Sequence, residues 1–339
     1  MSGPRVILGT MTFAGQTAED AAKTMLSAFV ASPLSKQDPQ IDSARMYCGG
    51  KTEELIGKIL TEDTSLLNQV SLATKAHPFM GESLAADAVQ RQCDASLAAL
   101  QGVPVDIFYL HAPDANCVVE ETLTKVQEMY EAGKFKRFAL SNYTAWETVW
   151  IHNFMSSKGW VVPCIYQGMM NGITRKTNEE LIPALRRLNM SFYAYNPLAG
   201  GMLTGKHTRG AGGGDGRFNG ETPWGKIYQQ RFMQEKQFEA MDLILAACKA
   251  NGDIPPAEAA LRWMKHHSGL TEEAGDAIII GASKIHHFEA NMNALSKGPL
   301  PAEVLTAYDQ GWELCRAVCP SFSRGYSGST SMHTMHTTN

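Results

Sequence analysis

The chain has 339 residues, 44% of them hydrophobic and 19% charged, with a formal net charge of −4. That composition is globular and offers no basic field to gather nucleic acid or an anionic membrane, so small molecules are the expected partners. The start MSGPRVILGT lacks the basic segment and long apolar core of a signal peptide, and no apolar run approaches the roughly 20 residues of a membrane helix, which together predict a cytoplasmic protein.

Read in chain order, short β-branched or aromatic runs alternate with longer amphipathic ones. Strands are expected over residues 6–9, 40–42, 70–73, 107–110, 137–140, 164–167, 191–195 and 277–280. Between them, helical spacing covers 84–100, 120–132, 145–157 and 178–188, with Thr177 and Asn178 as capping candidates for the last. A Gly-rich loop, GKHTRGAGGGDGRFNGETPWG, follows the seventh strand. Then come a helical pair within 238–267, a further helix in 301–319, and the ending SGSTSMHTMHTTN, too polar to order itself. That ending carries His333 and His336, and the chain divides into one domain over 1–325 and a disordered tail over 326–339. The seven cysteines form an odd set without a Cys-x-x-Cys pair, so reduced thiols are expected.

Strand, helix, strand repeated implies parallel pairing, and near-continuous apolar strands such as AIII and DIFYL suit a sheet buried on both faces. An open doubly wound sheet or a closed barrel would satisfy this. Eight units favour the α/β (β/α)8 barrel, which typically takes ~250 residues and leaves the rest for added helices and the loop after strand seven.

In such a barrel the chemistry belongs at the C-terminal ends of the strands. Strand two ends in Asp42 with Tyr47 just beyond (IDSARMYCGG), strand three leads to Lys75 (LATK), and strand four to His111 (FYLHAPD). Taken singly, each has a structural explanation as a cap, a solvated end or a bonded ring. Taken together, four ionisable groups crowd one rim, where an ammonium beside the phenol would stabilise its phenolate and His111 would orient a carbonyl oxygen. A lysine at a barrel strand end is equally the place of a Schiff-base aldolase nucleophile, so a lyase stays open at this point.

The segments IDSARMY, LATK and FYLHAPD, with LSNY, YQG and FYAYNPLAGGMLTGK, resemble the signature segments of the aldo-keto reductases, and the similarity runs from about residue 5 to 324. YNPLAGGMLTGK, GRF, IYQQRF and CPSFSR are similar to the aflatoxin-aldehyde and succinic-semialdehyde reductase subgroup. The resemblance implies NADPH-dependent reduction of an aldehyde, with Asp42, Tyr47, Lys75 and His111 as the catalytic tetrad, Tyr47 as general acid and no metal. It also implies a cofactor site: Ser141, Asn142 and Gln167 on the carboxamide, Tyr195 stacked on the nicotinamide, and Asn196, Pro197, Leu198, Gly200, Gly201, Leu203, Gly205, Lys206 and Arg217 around the NADP+ phosphates. Ser283, Lys284, His287 and Asn291 would take the adenosine end, with His287 standing where relatives more often carry Gln or Arg. Met46, Tyr47, His111, Tyr228, Arg231 and Arg324 would face the substrate, a guanidinium clamping a carboxylate. The bland alternative for Arg231 is an ion pair with Glu235, four residues along a helix. Relatives that dimerise imply a homodimer, and potassium-channel β subunits, which resemble the family, imply a regulatory NADPH-binding subunit as the rival function.

Overall fold

Each apolar run forms a strand: β1 (Arg5–Gly9), β2 (Gln40–Asp42), β3 (Ser71–Ala76), β4 (Ile107–Leu110), β5 (Arg137–Ser141), β6 (Pro163–Met169), β7 (Ser191–Tyr195) and β8 (Ala277–Ile280). The computed structural model describes residues 3–35, 38–210 and 217–329. In it neighbouring strands are parallel throughout and β8 pairs back onto β1, so the sheet closes into an eight-stranded barrel wrapped by helices. The expected (β/α)8 architecture is the observed one.

Period two along the strands sorts the side chains. Ile7, Ala73, Ile107, Tyr109, Ala139, Ile165, Tyr193 and Ile279 form a core cluster of their own inside the barrel. Their strand neighbours Leu8, Leu72, Phe108, Phe138 and Phe192 belong to the outer core shared with the helices. Continuing the inward register by two residues gives Lys75 beyond Ala73, His111 beyond Tyr109, Ser141 beyond Ala139, Gln167 beyond Ile165 and Tyr195 beyond Tyr193. A polar layer therefore sits on an apolar plug at the C-terminal end of the barrel. Pairings such as Asp42↔Ala73, Lys75↔Tyr109 and Ser141↔Gln167 hold these positions in register.

Some element ends differ from expectation. β3 runs on to Ala76 rather than stopping at residue 73, so Lys75 lies inside the ladder beside Tyr109 and not in a loop. The helix expected over 178–188 is Leu181–Arg187 with Glu180 at its N-cap, while Lys176–Asn178 forms a separate turn. Pro183 sets this start: a helix begun at 178 would need an N–H that proline lacks, whereas a start at Leu181 keeps the ring within the first turn. Thr177 and Asn178 are thus not its caps. The remaining expected helices are Ala86–Ala99, Val119–Glu131, Ala145–Ser157, Glu235–Ala250, Pro256–His266 and Ala302–Cys315. The Gly-rich loop after β7 ends in a helix, Pro223–Phe232, whose N-cap Thr222 accepts a bond from the Gly225 N–H at 3.0 Å. Residues 211–216 of that loop lie outside the described residues.

The chain stays attached to the barrel past 325. Ser327 is buried and Gly328 bridges to Val118, so the first residues of the expected tail belong to the wall. Residues 330–339, His333 and His336 among them, lie outside the described residues. All seven cysteines are free. Among the described residues no helix is long and apolar enough to cross a membrane.

Candidate active site

Asp42 and Lys75 meet across β2 and β3 with both side chains buried. The Lys75 ammonium donates to Asp42 Oδ1 at 2.8 Å and Oδ2 at 2.7 Å, and to the Ser43 carbonyl at 2.6 Å. Those three contacts tie the ammonium to Asp42 and Ser43.

Tyr47 opens a tight turn, Tyr47–Gly50, just after β2. Cys48, Gly49 and Gly50 all have positive φ there, at 48°, 65° and 94°. A side chain at Gly50 would collide with the Arg45 guanidinium, its Cβ only 2.4 Å from Nη1. Arg45 is held by the buried Glu53 at 2.8 Å, whose other oxygen accepts from the Thr74 hydroxyl at 2.5 Å. This frame fixes the turn and sets the Tyr47 ring 5.5 Å from the Lys75 ammonium and edge-on to the His111 ring at 6.1 Å. The four residues singled out in the sequence are therefore brought together at one rim.

Their electrostatics differ from the sequence-based expectation in one respect. Burial, and then the Asp42 carboxylate, push the Tyr47 phenol well above its ordinary range, against a smaller downward pull from Arg217. An ammonium lowering the phenol was expected. Asp42 has instead claimed the Lys75 charge, and the carboxylate repels a phenolate. The phenol keeps its proton, as a donor must. Burial likewise lowers Lys75, opposed by Asp42, and holds His111 far below the usual imidazole value, helped by the charges of Lys75 and Arg324. His111 is thus neutral, with Nδ1 buried and unpartnered.

That neutrality has a consequence for stability. Unfolded His titrates near ~6.5 whereas folded His111 does not take the proton, so below that pH the unfolded chain binds more protons and stability falls. Urea midpoints measured downward from pH 7 should drop with a slope approaching about 1.4 kcal/mol per pH unit from this group alone. A His111→Gln variant should lose that share of the slope. An unchanged slope in the variant would mean that His111 is charged in the fold.

The expected carboxamide partners are also at the rim. Asn142, at φ 64°, donates Nδ2 to the Ser141 hydroxyl at 2.9 Å and to the His111 carbonyl at 2.8 Å. Its Oδ1 accepts from the Tyr195 hydroxyl at 2.6 Å, and Gln167 donates to Asp42 at 2.8 Å. Gln167 therefore joins the tetrad's own network. In the segment after β7, Asn196 Oδ1 accepts from Arg217 at 3.0 Å and its amide meets the Tyr228 hydroxyl at 3.3 Å. Pro197, Leu198, Leu203 and Gly205 fall in the same tight segment around the turn Ala199–Thr204, and Gly200, at φ 71°, faces the Tyr228 ring so closely that a Cβ would stand 2.5 Å from it. Gly201 has φ 121°, and a Cβ there would stand 3.7 Å from His207 Nε2 and 3.8 Å from the Phe218 ring. At the other edge, Lys284 is the N-cap of helix Ile285–Ser296, with Ser283 before it and Asn291 buried within. Burial, then the charges of His286, Lys206 and Lys284, lowers His287, so the loop and this helix start converge.

Met46, half-buried beside Tyr47, Tyr228, Arg231 and Arg324 complete the expected set. Arg231 does not pair with Glu235, which binds Arg209 at 2.8 Å instead. Among the described residues neither Arg231 nor Arg324 has a carboxylate partner. Burial, then the charge of Arg324, lowers Arg231, against smaller upward pulls from Tyr195 and Tyr228. Two contributors were not anticipated: Phe79 lies edge-on to His111 at 5.9 Å and to Trp224 at 6.2 Å, and Arg324 stacks over both rings at 5.3 and 5.8 Å. The signal was available, since Phe79 follows Lys75 by four residues and Trp224 is a partly exposed tryptophan at a helix start.

The closed parallel barrel carries a buried Lys–Asp pair, a phenol and a neutral imidazole on its C-terminal rim, and the aldo/keto reductase family model matches residues 5–313. The chain belongs to the aldo/keto reductase family and is an oxidoreductase enzyme. Among its relatives, aflatoxin B1 aldehyde reductase member 2 of Rattus norvegicus is 41% identical over 327 residues, 95% of this chain and 88% of that protein. The Homo sapiens member 2 is 42% identical over 95% of this chain and 90% of its own length, and the Homo sapiens member 4 is 41% identical over 94% and 97%.

Proposed function

We propose that the protein reduces aldehydes with NADPH, that Tyr47 is the general acid, and that the favoured aldehyde carries a carboxylate. The observation that carries the first part is the tetrad itself: a phenol held protonated, a neutral imidazole beside it, and a fixed ammonium near the ring. NADPH, when bound, supplies the hydride to the carbonyl carbon. As charge develops on the carbonyl oxygen, Tyr47 donates its proton and His111 offers an N–H that holds the oxygen in place. The resulting phenolate, beside the Asp42–Lys75 pair, takes its proton back from solvent.

The rim fits the cofactor. Ser141, Asn142 and Gln167 are neutral groups that both donate and accept, as a carboxamide requires. Arg217, Lys206 and Lys284 supply positive charge for phosphates. Lys284 at a helix start supports a 2′-phosphate and hence NADPH over NADH.

Support for an acidic aldehyde comes from Arg231 and Arg324, partly buried and lacking a carboxylate of their own. The relatives named for aflatoxin B1 aldehyde support an aldehyde in general. The test is cofactor consumption with succinic semialdehyde beside an uncharged aldehyde of equal chain length, using NADPH and then NADH. NADPH and the acid aldehyde should be preferred. Arg324→Ala and Arg231→Ala should each raise KM for the acid aldehyde by roughly 10- to 100-fold, the worth of a charge-assisted hydrogen bond. Equal use of both aldehydes would discard the clamp and keep the reductase, while comparable affinities for NADPH and NADH would discard the cofactor preference.

A further inference from the structure

The residues that end the described chain are tied to the loops that carry the tetrad. The Arg324 N–H donates to the Asn142 carbonyl at 2.9 Å, and the Ser327 N–H donates to Glu147 Oε1 at 2.8 Å. Gly328 N–H donates to the Asp114 carbonyl at 3.0 Å, and its own carbonyl accepts from the Val119 N–H at 2.9 Å. Asp114 and Val119 flank the loop after β4, which follows His111, and Asn142 and Glu147 flank the loop after β5. Gly328 lies so close that a Cβ there would stand 2.5 Å from the Cys117 carbonyl and 2.9 Å from that of Ala115.

Glu147 is the carboxylate in this set of ties. It sits in the first turn of helix Ala145–Ser157, three residues after the N-cap Thr144, where a glutamate ordinarily folds back onto the cap's own N–H. Its Oε1 goes instead to Ser327, and the carboxylate is 2% exposed with Oε2 unpartnered. A carboxyl buried at that cost, for a bond to a segment remote in sequence, calls for a reason. The reason lies three residues upstream of Ser327, because Arg324 leans over Phe79 and Trp224, near enough to Arg231 for its charge to be felt there.

We propose that residues 324–329 are a strap pinned by Glu147, and that Glu147 is a positioning residue for specificity: it holds Arg324 where a substrate carboxylate can be bound between Arg324 and Arg231. This rests on the carboxylate-clamp reading above. The strap orders the guanidinium before substrate arrives, so the cost of fixing it is not charged against binding. Glu147 touches neither substrate nor cofactor, and its removal changes KM for acid aldehydes rather than kcat.

The test pairs kinetics with amide hydrogen exchange on the full chain, comparing wild type with Glu147→Ala, Glu147→Gln, Gly328→Ala, Arg324→Ala and the double variant Glu147→Ala/Arg324→Ala. In Glu147→Ala the Ser327 and Gly328 amides should exchange at least about tenfold faster while the strand amides keep their protection. KM for the acid aldehyde should rise about tenfold, with kcat and the uncharged aldehyde unaffected. Glu147→Gln, which keeps an acceptor oxygen, should stay near wild type. Gly328→Ala should reproduce Glu147→Ala without altering the helix that carries it. The double variant should be no worse than Arg324→Ala, because both changes remove the same contact. Retained protection in Glu147→Ala would overturn the proposal. So would lost protection with an unchanged acid-aldehyde KM, or a double variant whose effects add. If Arg324→Ala leaves the acid-aldehyde KM at the wild-type value, the clamp reading fails, and the proposal with it.

Discussion

Tyr47→Phe is expected to lower kcat for aldehyde reduction by roughly 10²- to 10⁴-fold, the usual contribution of a positioned general acid, with the Kd for NADPH close to wild type. The substitution removes one oxygen and leaves the ring that packs edge-on to His111. Nothing in the frame of the turn depends on that oxygen, since Arg45, Glu53 and Thr74 hold it from below. A drop confined to kcat would therefore report the proton and not a collapsed loop. The pH profile gives a second reading. Burial and Asp42 hold the phenol protonated and burial holds His111 neutral, so kcat for reduction should be flat across the neutral range, with no limb from either group. A variant that keeps most of its turnover would sink the assignment of Tyr47, and an acidic limb near pH 6.5 that vanishes in His111→Gln would mean that His111 acts as a charged acid.

The rim was legible because it obeys a period. Once strands were read at 40–42 and 107–110 and a barrel was inferred, their C-terminal ends put Asp42 and His111 at one rim, and the structure's period-two register keeps them there with Tyr195. What alternation cannot carry is competition for a shared charge. From the sequence Lys75, held by Asp42, was expected to lower the Tyr47 phenol, whereas in the fold burial and the Asp42 carboxylate outweigh it and the expected shift reverses. Long-range contacts were hidden for a similar reason. Glu147 reads as an ordinary first-turn glutamate and Ser327 as part of a polar tail, and only the closing of the barrel brings them to 2.8 Å. The pairing of Arg209 with Glu235 was equally out of reach, because i to i+4 spacing favoured Arg231 and the loop supplied the competitor.

The second large effect concerns the buried pair, where stability and catalysis can be separated. Lys75→Met should cost about 3–5 kcal/mol, because it strands the Asp42 carboxylate in a site where only Gln167 remains to bond it. Asp42→Asn should be costly for the mirror reason, an ammonium left with one amide and one carbonyl. Combining them as Asp42→Asn/Lys75→Met removes both charges at similar volume, and replacing a buried ion pair in that way is often neutral in stability. The double variant should thus recover much of the folding free energy, read as a urea midpoint, with a coupling of several kcal/mol in the cycle. Its activity should not recover, since two of the four groups gathered at the rim are gone. Recovery of both would make the pair a structural device and leave Tyr47 and His111 to act alone. Recovery of neither would mean that the Ser43 and Gln167 bonds depend on the charged pair, and that the turn bearing Tyr47 is built on it.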